Sequence, residues 1–361
     1  MSAFLETDVA AVVVGGYTAE SDGRAVGLRL LAVSSVDGTD QAAPDGVRAV
    51  TTVAVPSPSF VVPHPHEPWL FVAGSSDPGA VTAWAVSDDL TLTALGSAAI
   101  SGKGACHLAL SPSAEHLVVA SYGSGSVSSF DVLPDGSVGE ELHSLRFRGS
   151  GPVAERQEAA HAHQVVWDSD EVLVCDLGAD CIHRLELDGQ GRLLESKPPI
   201  PLPAGSGPRH LVVLGDHLVV ACELSAEVWL GRRSETGWTA RQVVASSERQ
   251  SDDPVYPSAI VTDGCRVYVA NRGPGTVTVF ELDRDADELR RVVEFPCGGD
   301  WPRDLALGRG AVWVANQTDD RVSVFSTFDT SIGRPLLEFD SPTPSSLVLL
   351  PPRTTSTTGG I

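Results

Sequence analysis

Two imidazoles, three arginines and one glutamate are the residues here best suited to chemistry. His161-Ala162-His163 sets two histidines two apart, on one face of the chain if the segment is extended. His163 suits a general base, because imidazole titrates near neutral pH. His-x-His is also a metal-ligand spacing. No nearby cysteine or third histidine completes a ligand set, so the general-base role is preferred to a metal site, and no cofactor is expected. Arg209, Arg272 and Arg303 carry guanidinium groups, which grip carboxylate or phosphate through paired N–H donors. Such residues act together only if the fold gathers them, so the question becomes which elements position them.

The chain repeats itself. A short β-rich run ends in a small residue at Gly15, Ala73, Ala120, Cys175, Ala221, Ala270 and Ala315, at spacings of roughly 45–58 residues. Leu70-Phe71-Val72-Ala73, Tyr268-Val269-Ala270 and Trp313-Val314-Ala315 show the pattern. Short strands at this period mark a propeller. Around Ala270 the unit divides into Ser258–Thr262, Arg266–Ala270, Gly275–Leu282 and Leu289–Phe295, separated by polar turns. Seven anchors predict an all-β, seven-bladed β-propeller with four-stranded blades. The N-terminal blade lacks an innermost strand, and Pro344–Leu350 is expected to supply it and close the ring, removing the exposed edge. The domain is read as residues 8–352, with 353–361 as a disordered tail. A two-sheet sandwich array is the competing architecture.

In a propeller blade the start of the first strand and the end of the second meet at one mouth of the central channel. The first-strand openings are Pro58-Ser59, Ala105-Cys106, Ala162-His163, Pro208-Arg209, Pro257-Ser258, Pro302-Arg303 and Pro344-Ser345. Two places past the anchors lie Tyr17, Ser75, Tyr122, Leu177, Glu223, Arg272 and Gln317. The mouth is therefore expected to gather His163, Arg209, Glu223, Arg272 and Arg303, and to take a small anionic molecule. In a competing reading the arginines pair with Glu223, Asp176 and Asp304 to tie blades together, and His163 is hydrogen-bonded between blades. His64 and His66 fall in a turn at the opposite face. Gly123-Ser124-Gly125-Ser126 precedes a strand, so it lacks the helix N-terminus that phosphate-cradling loops use.

Composition narrows the partners. The 361 residues hold 47 acidic against 25 basic side chains, a net charge of −22. That balance argues against nucleic acid and against anionic lipid. No run approaches the roughly 18 apolar residues of a membrane span. The N-terminus has no basic segment of the signal-peptide type. The six cysteines stand singly and read as reduced thiols of a cytoplasmic protein. A monomer or homodimer is expected.

Arg156-Gln157 before His161-Ala162-His163, Asp176-Leu177-Gly178-Ala179-Asp180, Gly207-Pro208-Arg209-His210, Ala270-Asn271-Arg272-Gly273, Pro302-Arg303 and Ala315-Asn316-Gln317 occur in order along nearly the whole chain. Together they resemble the seven-bladed lactonase family, which includes propeller-type 6-phosphogluconolactonases and fungal carboxy-muconate lactonizing enzymes. The resemblance implies a metal-free propeller that acts on a lactone with an acidic substituent. It implies catalytic roles for His163, Arg209, Glu223 and Arg272. His161, Arg303, Tyr122 and Asp176 are the expected substrate contacts. Arg209 and Arg272, with Arg303, are expected to hold the anion while His163 activates water. Ala160, Ala105 and Cys222 depart from the family pattern at turns. The leading expectation is hydrolysis of 6-phosphoglucono-1,5-lactone in the pentose phosphate pathway. The alternatives are a muconate-type cycloisomerase, a lactonase for an unphosphorylated acid, and a propeller that binds without catalysis. A six-bladed calcium lactonase conflicts with the seven anchors.

Overall fold

The computed structural model describes residues 10–33, 46–235, 237–308, 310–327 and 333–352. The expected domain start at residue 8 and the tail 353–361 lie outside the described residues. Seven antiparallel four-stranded sheets form a ring, a seven-bladed β-propeller. The innermost strands are Pro344–Leu350, Pro58–Pro63, Ala105–Leu110, Ala162–Asp168, Pro208–Leu214, Tyr256–Thr262 and Pro302–Gly308. Each packs against the next, and Pro302–Gly308 returns to Pro344–Leu350. Blades are numbered one to seven in that order.

Blade one is closed as the sequence predicts. Ala11–Gly16 pairs with Gly27–Val33 on one edge and with Pro344–Leu350 on the other, Ala11 facing Leu350 and Val14 facing Leu347. The two ends of the chain thus share one sheet, and the ring has no free inner edge.

Strand periodicity explains why the blades stack. Successive side chains point to opposite faces. Val12 and Val14 pack on Trp313, Val322 and Val324 of blade seven. Ala11 and Val13, on the same strand, pack on Val61, Leu70 and Val72 of blade two. Both faces of a blade are buried, so its middle strands read as unbroken apolar runs.

Side chains on the innermost strands clip each blade to the next. At the position after each opening residue, Ser59 donates to Ala105 O at 2.7 Å, Ser258 to Pro302 O at 2.6 Å and Ser345 to Pro58 O at 2.5 Å. The Cys106 thiol reaches Ala162 O at 3.6 Å. One residue further along, Gln164 accepts Leu211 N–H at 2.6 Å and Asp304 accepts Leu347 N–H at 2.8 Å. Blades four, five and seven break the first of these patterns. They carry His163, Arg209 and Arg303 where the other blades carry a serine or cysteine.

Candidate active site

Those three departures open onto one cavity of about 410 Å³, lined among others by Tyr17, Ser75, Cys106, Tyr122, Arg156, His163, Arg209, Glu223, Arg272 and Arg303. Its size falls in the usual range for small-molecule sites. All seven blades contribute, so ring closure is what assembles the wall. Four arginines face one carboxylate in this lining, inside a protein of net charge −22.

Glu223 is the hub. Its Oε2 lies 2.6 Å from Arg272 Nη2 and 3.1 Å from Arg209 Nε, and its Oε1 accepts from Arg156 Nη2 at 2.6 Å. The carboxylate is almost fully removed from water. Burial alone would raise its pKa, but Arg272 and Arg209 outweigh that and hold it well below the usual carboxylate range. Arg209 is only 2% exposed. Burial and the neighbouring Arg272 push its pKa down to about 9, which leaves it cationic at neutral pH. Its Nη1 is buried without a hydrogen-bond partner. Arg272 donates from Nε to Tyr256 O at 3.3 Å and lies over the Trp301 ring, 5.3 Å from its centre.

His163 is buried, and its Nδ1 has no hydrogen-bond partner. Burial, with Arg209 beside it, holds its pKa well below the ordinary histidine value, against the opposing pull of Glu223. The imidazole is therefore neutral throughout the physiological range. Behind it the rings of His210 and His107 follow at centre separations of 5.2 and 5.4 Å. Both are driven well below their ordinary range by burial and by Arg209.

Arg156 comes from the long connection between blades three and four, outside the repeat. Gln157, fully buried, fastens that connection by donating to Leu177 O at 2.8 Å and to Asp180 Oδ1 at 2.7 Å. Asp180 also accepts from Gly205 N–H at 2.6 Å and Gly207 N–H at 2.7 Å. Gly207 O in turn accepts Glu223 N–H at 2.8 Å. Arg156 and Glu223 are thus positioned through one knot. Gly178 permits the close approach of the connection: a Cβ there would stand 1.8 Å from Ala159 O.

The structure brings His163, Arg209, Glu223, Arg272, Arg303 and Tyr122 to the cavity. It does not bring Asp176 or His161 into its lining. Asp176 is fully buried. Its Oδ1 accepts N–H groups of His161, Gly178 and Ala179 at 2.7–3.0 Å, and its Oδ2 accepts from His183 Nε2 at 2.9 Å. It occupies the place of Asn271 and Asn316 in blades six and seven, which donate from Nδ2 to the hydroxyls of Thr278 and Ser323 on the corresponding third strands. Its carboxylate is therefore committed to the blade, and the expected substrate contact is corrected to a turn-forming role. His161 stacks on Tyr122 at 4.4 Å between ring centres and donates from Nδ1 to Tyr122 O at 2.9 Å, so it braces the wall from behind. The competing reading of the arginines holds in part, since Arg209 and Arg272 pair with Glu223. Asp176 and Asp304 are engaged with backbone instead. Sequence reasoning did not place Arg156 at the mouth, although it stood in the Arg156-Gln157 motif. It missed Trp301 entirely, because no repeat position marks it.

Asp176, Cys181 and His183 form a group of potential metal donors within 4.8 Å of one another. They lie apart from the cavity lining, and the hydrogen bonds of Asp176 account for their arrangement. All six cysteines are free. Among the described residues, no helix is long and apolar enough to cross a membrane.

Comparisons with known proteins agree with this fold. A family described as lactonase, 7-bladed β-propeller, matches residues 11–343. The 6-phosphogluconolactonase of Bacillus subtilis strain 168 is 31% identical over 290 residues, covering 77% of this chain and 82% of that protein. The 6-phosphogluconolactonase of Formosa agariphila is 28% identical over 241 residues, 62% of this chain and 67% of that one. The structure of a periplasmic gluconolactonase from Pseudomonas aeruginosa superposes with a TM-score of 0.85 at 25% identity, covering 95% of this chain and 99% of that chain.

Proposed function

The chain belongs to the seven-bladed β-propeller lactonase family, and from that premise we propose that its substrate is 6-phosphoglucono-1,5-lactone, opened to 6-phosphogluconate in the pentose phosphate pathway. The observation that carries this reading is the concentration of four arginines against one carboxylate in the cavity of an otherwise acidic protein. Such a site favours a substrate with more than one negative charge. The names of the Bacillus and Formosa relatives support the same substrate.

Hydrolysis needs a base, an oxyanion donor and a proton for the leaving oxygen. Neutral His163 lines the cavity and takes a proton from water as the water oxygen attacks the lactone carbonyl. Arg209, which lines the same cavity from the neighbouring blade, donates to the oxyanion that develops. Collapse breaks the ring C–O bond, and the proton on His163 passes to the departing alkoxide. The new carboxylic acid then ionises. Glu223 offsets the positive charge around His163 and fixes Arg209 and Arg272.

The reading includes a cytoplasmic location, supported by six free thiols, and a monomer or homodimer, since one chain supplies the whole cavity wall. The direct test is hydrolysis of freshly generated 6-phosphoglucono-1,5-lactone against glucono-1,5-lactone, with and without chelator, above the spontaneous rate. Chelator-insensitive turnover that favours the phosphorylated lactone is the expected result. Preference for the unphosphorylated lactone would transfer the assignment to a gluconolactonase of the Pseudomonas type.

A further inference from the structure

The four arginines of the cavity are not equivalent. Arg156, Arg209 and Arg272 share Glu223 as counterion. Among the described residues, no ion pair engages Arg303. Its side chain makes one long hydrogen bond, from Nη1 to Gln317 Oε1 at 3.4 Å. Its guanidinium lies over the Tyr17 ring, 4.8 Å from the ring centre. Stacking holds the plane of the group and leaves its N–H edge free for an anion. The adjacent aspartate, Asp304, does not neutralise it, because the Asp304 carboxylate is buried against Leu347 N–H.

The order of the ring places this guanidinium. His163 stands on the inner strand of blade four, and Arg303 on that of blade seven, three blades away around a ring of seven. Tyr17 belongs to blade one and Ser75 to blade two, and both line the same cavity. The blade-six and blade-one strands that flank Arg303 carry Ser258 and Ser345 at its position, each bonded to the next blade. Arg303 is therefore the cavity arginine farthest round the ring from His163 and the one that Glu223 does not hold, with Arg272 on the neighbouring blade six.

We propose that Arg303, seated on Tyr17, is the subsite that binds the substrate phosphate and makes the enzyme prefer phosphorylated lactones. Arg209, held by Glu223 on the blade next to His163, then serves the reacting carbonyl. This inference rests on the proposed function and assigns the reacting carbonyl and the phosphate of its substrate to different arginines. In the lactone the carbonyl carbon and the carbon that bears the phosphate arm flank the ring oxygen, so both groups meet side chains of one cavity.

The experiment compares kcat/KM for 6-phosphoglucono-1,5-lactone and glucono-1,5-lactone in the wild type, Arg303→Gln and Arg303→Lys. Loss of a charge-assisted phosphate contact should lower the ratio of the two on the order of 30–100-fold in Arg303→Gln, mainly through KM for the phosphorylated lactone. Arg303→Lys should restore part of the ratio, since it keeps the charge and loses the paired donors. Competitive inhibition by inorganic phosphate should weaken in parallel, and it gives a reading even if one variant folds poorly. A wild-type preference for the phosphorylated lactone that survives both substitutions overturns the subsite alone. A wild-type enzyme without that preference overturns the functional reading itself.

Discussion

Glu223 and Arg272 form a 2.6 Å ion pair in which both side chains are nearly removed from solvent, 5% and 8% exposed respectively. A pair so buried costs desolvation on both sides and is stable only because Arg209 and Arg156 share the same carboxylate. The expected consequence is that Glu223→Ala destabilises more than it disturbs any one contact. It leaves buried Arg209 and Arg272 without a counterion, a loss of about 3–5 kcal/mol. Thermal unfolding against the wild type measures it, and an unchanged melting temperature would show that the hub does not hold the mouth.

The same carboxylate fixes a pH dependence. Its folded pKa lies below the unfolded value, and burial, which pulls the other way, is outweighed by Arg272 and Arg209. Its contribution is therefore fully present above the unfolded carboxylate range and declines as pH falls through and below that range. Glu223→Gln should flatten the acid limb of the stability profile. A profile of unchanged shape from pH 3 to pH 7 is the outcome against it.

His163 yields a second pH prediction. Burial, reinforced by Arg209, holds the pKa of the imidazole well below the ordinary histidine value, so the proposed base is unprotonated at every physiological pH. The kcat/KM profile should show no inflection near pH 6.5. His163→Ala should lower kcat by roughly 10²–10⁴-fold, and full kcat in that variant would remove His163 as the base.

Asp180 touches no cavity surface, yet it joins Gln157 to Gly205 and Gly207. Asp180→Ala should loosen both the Arg156 connection and the Glu223 backbone. The expected result is a drop in kcat on the order of 10-fold or more, with a fall in melting temperature. Circular dichroism should still show the β fold. Unchanged turnover would mean that Arg156 needs no such anchor.

The propeller was legible because seven units repeat one pattern: an apolar middle strand, a turn, an alternating strand. The mouth was legible for the same reason, since a repeat states which residues converge. His163, Arg209 and Arg303 stand where Ser59, Ser258 and Ser345 clip neighbouring blades, so the cavity shows as a break in a structural series. Asp176 was misread because it lies beside the mouth in sequence but turns its carboxylate into the blade. Arg156 and Trp301 stood outside the repeat. The sharing of Glu223 was also hidden, because a pairing among long side chains depends on geometry that strand position does not specify.

Ring closure supplies the last prediction. Asp304 links blade seven to the closing strand by accepting Leu347 N–H at 2.8 Å, and burial raises its pKa to about 6. Here the folded pKa exceeds the unfolded one. The carboxyl group thus favours the fold most at low pH, and that contribution is lost as pH rises through about 6. Asp304→Asn keeps an oxygen for Leu347 N–H and removes the buried charge. The variant should gain stability relative to the wild type as pH rises from 5 to 8, on the order of 1–3 kcal/mol. Asp304→Leu, which also removes the acceptor, should lose stability at pH 5, where the wild-type group is largely protonated and its hydrogen bond intact. Melting temperatures of the three proteins at pH 5 and pH 8 decide it. A difference between Asn variant and wild type that does not change with pH would show that the Asp304 carboxyl does not titrate in this range.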